Sequence, residues 1–216
     1  MDGTGELFQP LLALLPDNID AQVISLNSLP SQQPETLSSQ VAKFVGDDEV
    51  IILAESYSGF IAYNLCLNPD LNIKHVFFAA SFLSSPSRLI VLRHLVPLSI
   101  IRSSLIPKRL LNIILFGFNA HSGLVELFLT SLQSVSNSSL KHRLNYISNM
   151  VEPTQQIAVP CTYIQASNDY LVSNRSVNAF KALCTTLNII ETDGGHFIVQ
   201  SNPQLFVKLI NDLINQ

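Results

Sequence analysis

The chain is short of charge. Only 13% of its 216 residues are Asp, Glu, Lys or Arg, and the mean hydropathy is +0.32, greasy for a protein in water. It nevertheless has no uninterrupted apolar run of the roughly 20 residues that a spanning helix needs. There is no charged-then-apolar leader, so nothing argues for secretion, and letter matches to glycosylation acceptors such as Asn137-Ser138-Ser139 carry no weight. The cysteines are three, Cys66, Cys161 and Cys184, an odd number without C-x-x-C spacing. They read as small buried side chains in a reducing, cytoplasmic compartment, not as disulfides or ligands. The formal charge is −4, and no basic patch is interleaved with aromatics, which argues against nucleic acid as a partner. His75, His94, His121 and His142 lack a second ligand at metal spacing and read as surface or structural residues. No cofactor is called for.

What is present starts at Val50-Ile51-Ile52-Leu53-Ala54-Glu55-Ser56-Tyr57-Ser58-Gly59. An apolar strand running straight into a helix through one tight turn forces the apex residue toward positive φ, and the residues two before and two after it must be small. Here they are Ala54 and Ser58, so the match to a nucleophile elbow is to the steric rule and not to the usual glycines. A serine in that position also fits a plain helix N-cap after a buried strand. The residues downstream decide between the two.

A serine hydroxyl needs a histidine to take its proton and a carboxylate to fix the imidazole tautomer. Asp169 follows the strand-like run Cys161–Ala166, and His196 follows Leu187–Glu191, in the loop Asp193-Gly194-Gly195-His196-Phe197. Each candidate therefore lies just past the carboxyl end of a different apolar strand, where parallel α/β sheets place their chemistry. Asp193 is the rival acid, but it is only three residues from His196 in the same loop, whereas the acid usually reaches the imidazole from a separate strand end, which puts Asp169 ahead. Glu55 reads equally as a member of a supporting network and as a solvent-facing or strand-end residue.

On these residues the chain resembles the α/β-hydrolase superfamily. The resemblance implies Ser56 as nucleophile, Asp169 as orienting acid and His196 as general base. The opening Met1-Asp2-Gly3-Thr4-Gly5-Glu6-Leu7-Phe8 is similar to the oxyanion loop of small bacterial esterase-like hydrolases and of plastid acyltransferases. It implies an oxyanion hole formed by the N–H of Tyr57 with one from Met1, Asp2 or Gly3. In that group an apolar strand and a Pro-Gly pair precede the loop, and neither is found ahead of Met1. The strand would lie between Ala21–Leu26 and Val50–Leu53, so the expectation is a truncated chain with a gap inside the sheet.

The alternation of patterns favours an α/β fold with a mostly parallel sheet and flanking helices. Helices are expected at Glu6–Leu15, Glu35–Val45, Gly59–Leu67 and Pro203–Asn215, and strands at Gln22–Leu26, Val50–Leu53, His75–Ala80, Cys161–Ala166 and Leu187–Glu191. Residues 1–80 and 156–216 would form the core, and 81–155 a helical lid inserted before the triad Asp, with short helices at Leu89–Leu92, Leu110–Phe116 and Leu124–Leu132. So apolar a lid suggests a lipophilic acyl substrate met by Leu111, Leu115 and Phe116. The equal alternative is that these side chains only pack the lid onto the core. Arg88, Arg93, Arg102, Lys108 and Arg109 read as its solvated face, or as a contact for an anionic membrane surface or acyl carrier. The expected function is a serine hydrolase acting on a carboxylic ester or thioester, with acyl transfer or a non-catalytic remnant as alternatives.

Overall fold

The computed structural model describes residues 2–86, 106–118 and 122–215. The helix expected at Leu89–Leu92, the cations Arg88, Arg93 and Arg102, and Met1, His94 and His121 lie outside them. Four strands, β1 (Val50–Glu55), β2 (Ile73–Ala79), β3 (Cys161–Ala166) and β4 (Leu187–Thr192), pair in that order into an all-parallel sheet. The inner strands read as continuous apolar runs because both their faces are covered. On β2, Val76 and Phe78 enter the core on one face while Phe77 and Ala79 enter that on the other. β3 divides likewise, with Cys161 and Tyr163 opposite Ile164 and Ala166.

Helices fill both faces. α2 (Pro34–Val45), α3 (Ser58–Cys66) and α7 (Val177–Leu183) contribute to the first core. α1 (Gln9–Leu12), α8 (Ile198–Ser201) and α9 (Pro203–Ile214) build the second, through Leu11, Ile198, Phe206 and Ile210. Between β2 and β3 the chain adds α4 (Lys108–Phe116), α5 (Ser122–Gln133) and α6 (Asn137–Ser148). Their apolar residues Leu111, Leu115, Phe116, Leu124, Phe128, Leu140 and Leu144 belong to the first core.

Two sequence expectations fail near the N-terminus. The helix expected at Glu6–Leu15 is a 3-10 turn at Glu6–Phe8 followed by the short α1, which stops at Leu12, four residues before Pro16. The strand expected at Gln22–Leu26 does not form: this stretch has no ladder partner among the described residues, and Leu26–Ser28 is a 3-10 turn. A strand is defined by its partner as much as by its side chains. Here Asp20–Ile24 and β1 both line one open cleft of about 710 Å³. Val50 and Ser56 donate to Asn72 O and Ala79 O, at 3.0 Å each, so strand alternation turns the backbone N–H groups of Ile51 and Leu53 away from β2, to the outer edge, where no described strand meets them.

Candidate active site

The chain leaves β1 at Glu55 and enters α3 at Ser58, and the turn between them puts Ser56 at φ 59°. That left-handed conformation, unfavourable for a residue with a Cβ, aims the side chain out of the strand end. Ser58 closes the turn: its Oγ donates to Glu55 O at 2.8 Å and accepts from Glu55 N–H at 2.9 Å. Gly59 is required by close packing, since a Cβ there would lie 2.5 Å from Ser81. Ser81 in turn donates to Ala54 O at 3.0 Å.

Ser56, Asp169 and His196 meet at the carboxyl edge of the sheet. His196 Nε2 is 2.8 Å from Ser56 Oγ, and Nδ1 is 2.9 Å from Asp169 Oδ2. All are buried, at 3%, 7% and 2% exposure for Ser56, Asp169 and His196. The other carboxylate oxygen, Asp169 Oδ1, accepts from Leu171 N–H at 2.8 Å and Val172 N–H at 2.9 Å, which fixes the orientation of the acid. The rival Asp193 instead accepts from Ser167 Oγ at 3.2 Å. The His196 loop is held from α4, where Leu115 O accepts from Phe197 N–H at 3.0 Å. A Cβ at Gly195 would lie 2.4 Å from Gly117 N.

The loop Asp2–Gly5 borders the same cleft as Ser56 and Tyr57. Asp2 Oδ2 accepts from Thr4 N–H at 3.0 Å, Thr4 Oγ1 at 2.7 Å and Ser131 Oγ of α5 at 2.9 Å. Burial opposes its ionisation, yet the amino-terminal charge and the Thr4 and Ser131 hydrogen bonds outweigh it and hold the pKa at about 2. Arg143 of α6, fully buried, donates to Asp2 O at 2.5 Å and to Asn27 Oδ1 and Gln32 Oε1 at 2.6 Å each. Gly3, at φ 68°, leaves that guanidinium its room, because a Cβ would lie 2.3 Å from Nη1. Tyr57 caps α3 at its N-terminus, where the helix dipole favours negative charge. Leu111, Leu115 and Phe116 are buried in the first core, and none of them lines the cleft.

Sequence reasoning passed over Arg143. Its signal was there: Leu140, Arg143, Leu144 and Ile147 share one buried helix face, and a cation at an apolar position marks a buried polar partner. Among the described residues no group of three or more His, Cys, Asp or Glu side chains could hold a metal.

An esterase from Exiguobacterium antarcticum superposes with a TM-score of 0.77 over 99% of this chain and 88% of its own, at 11% identity. A hydrolase from Oleispira antarctica gives 0.76 over 100% and 89%, at 13% identity. The chain has the α/β-hydrolase fold. An N-acyl homoserine lactone degrading enzyme is a further match, at a TM-score of 0.74 over 98% of this chain and 89% of its own, with 12% identity. No family model matches the sequence, and no curated protein does. Within the α/β-hydrolase frame, the buried Ser56–His196–Asp169 chain of hydrogen bonds lies where the first and last two strands of this sheet end.

Proposed function

We propose that the protein hydrolyses a carboxylic ester or thioester through an acyl-enzyme formed on Ser56. The observation that carries this reading is His196 lying within hydrogen-bond reach of Ser56 on one side and Asp169 on the other. His196 takes the Ser56 proton as Oγ attacks the acyl carbonyl, then delivers it to the leaving alcohol or thiol. Asp169 stabilises the imidazolium formed between these steps. Water then repeats the sequence on the acyl-enzyme. Backbone N–H groups at Tyr57 and in the opening loop receive the oxyanion. Esterase and hydrolase names among the structural matches agree with this chemistry, and a serine at the elbow argues against reactions that use an aspartate there.

A lipophilic acyl group is supported by the cleft beside Ser56, whose lining includes Leu7, Leu11, Leu26, Ile61 and Phe197. A contact of the inserted helices with an anionic carrier or membrane surface belongs to the same reading. Of its cations, Lys108 pairs with Glu126 at 2.5 Å and Arg109 is exposed. No helix among the described residues is long and apolar enough to cross a membrane. Three free cysteines fit a cytoplasmic setting.

The test is hydrolysis of p-nitrophenyl esters together with fluorophosphonate labelling. Ser56→Ala and His196→Ala each lower turnover by on the order of 10⁴-fold or more without unfolding the protein, and the losses do not add because the residues act as one unit. Near-normal turnover, or full labelling, in folded Ser56→Ala protein overturns the reading.

A further inference from the structure

Glu55 is a buried carboxylate that the acyl-enzyme chemistry does not use. It is the last residue of β1, directly before Ser56. Its Oε1 accepts from Val199 N–H at 3.1 Å and its Oε2 from Gln200 Nε2 at 2.9 Å. Both donors belong to α8, which begins two residues after His196, is only four residues long and has no side-chain cap. A helix of one turn cannot hold its own place, since nucleation costs more than so few hydrogen bonds return. Each oxygen of the carboxylate meets a donor, so α8 is tied at a backbone and at a side-chain position together.

We propose that Glu55 is a positioning residue that anchors α8 and thereby keeps His196 in line with Ser56, so that one strand end carries the nucleophile and also fixes its base. This rests on the ester-hydrolase reading for its kinetic consequence, but not for its structural one. Burial pushes the Glu55 carboxyl up to about 7, while the hydrogen bonds of Gln200 and Val199 and the charge of His196 oppose the rise. An acid held in so unfavourable a place, with both oxygens engaged by one short helix, is tuned to that helix. The Gln200 Oε1 is buried with no hydrogen-bond partner, so its amide can turn over without breaking another bond. Glu55→Gln therefore keeps the anchor while removing the charge: its Oε1 accepts from Val199 N–H and its Nε2 donates to the turned Gln200 Oε1.

The experiment compares Glu55→Ala, Glu55→Gln and Gln200→Met by steady-state ester hydrolysis, and by the downfield proton signal of the His196–Asp169 hydrogen bond in the free protein. Glu55→Ala is expected to lose about 10- to 100-fold in kcat, with KM changed less than about twofold, because a small misplacement of the base is costly. Its imidazole signal should broaden or vanish. Glu55→Gln should stay within about threefold of the parent in kcat and keep the signal, as expected for an intact near-attack geometry. Gln200→Met should lie between the two. A folded Glu55→Ala protein with parental kcat and signal overturns the proposal, as does a loss confined to KM. Glu55→Gln falling as far as Glu55→Ala overturns it too, since charge and not anchoring would then be at work. Should Glu55→Ala not fold, Gln200→Met decides, and parental kcat and signal there overturn the proposal. If the wild-type protein neither cleaves esters nor takes the fluorophosphonate, the functional reading fails. The imidazole signal, which needs no substrate, still tests Glu55.

Discussion

At the scale of the residue, Glu55 combines a place directly before Ser56 with a thermodynamic cost. Its carboxyl ordinarily titrates at 4.5 and is pushed to about 7 in the folded protein, chiefly by burial. Between those values the folded state keeps a proton that the unfolded state has released, so stability falls as pH rises through that window and levels off above it. The rise from 4.5 to about 7 corresponds to about 3 kcal/mol. Glu55→Gln removes this titration, so its unfolding free energy should gain on the parent by about that amount between pH 4 and pH 8, read from urea midpoints. A gain independent of pH would mean that Glu55 is not desolvated. The positions of Ser56, Asp169 and His196 were legible in sequence because each follows an apolar strand directly, and strand ends are local signals. The partners of Glu55 were not, since Val199 and Gln200 are remote in sequence and only the finished fold brings them to β1.

At the scale of the element, the inserted helices do more than cover the sheet. α5 sends Ser131 and α6 sends Arg143 to the same loop, Asp2–Gly5, which borders the cleft at Ser56. An apolar insertion was expected from the sequence, and α4 to α6 appear within it, but composition cannot show which polar residue points inward. Arg143→Met keeps the bulk of the side chain and leaves Asp2 O, Asn27 Oδ1 and Gln32 Oε1 without their guanidinium donor. A stranded buried acceptor costs about 1–3 kcal/mol, and of the three only Asp2 O lies on a buried residue, with Asn27 and Gln32 half-buried, so a loss on the order of 2 kcal/mol is expected by denaturant unfolding. The loop should loosen with it, lowering kcat more than it raises KM and weakening boronate inhibitors more than substrate. Equal weakening of both would mean that Arg143 serves packing alone.

At the scale of the whole molecule, the two edges of the sheet are unlike. β4 presents Asn188 and Glu191 to solvent beside the single exposed apolar Ile189, a largely polar dressing that discourages further pairing. β1 carries the run Val50-Ile51-Ile52-Leu53, whose residues are only half-buried although the sequence reads as an inner strand. Sequence could suggest a strand there, but not how many neighbours it would find. Leu12, Val23, Phe44 and Ile214, all exposed apolar residues, line the cleft along this edge. An apolar parallel edge with no paired strand among the described residues, flanked by such side chains, is a template for non-specific association. The chain is therefore expected to bind an apolar reporter dye strongly and to scatter light increasingly at high protein concentration. Val23→Lys with Phe44→Glu places charge on the rim without touching the core, and should lower both signals while leaving the unfolding midpoint within about 0.5 kcal/mol, as for ordinary surface substitutions. Unchanged dye binding and scattering in that variant would place the sticky surface elsewhere than along β1.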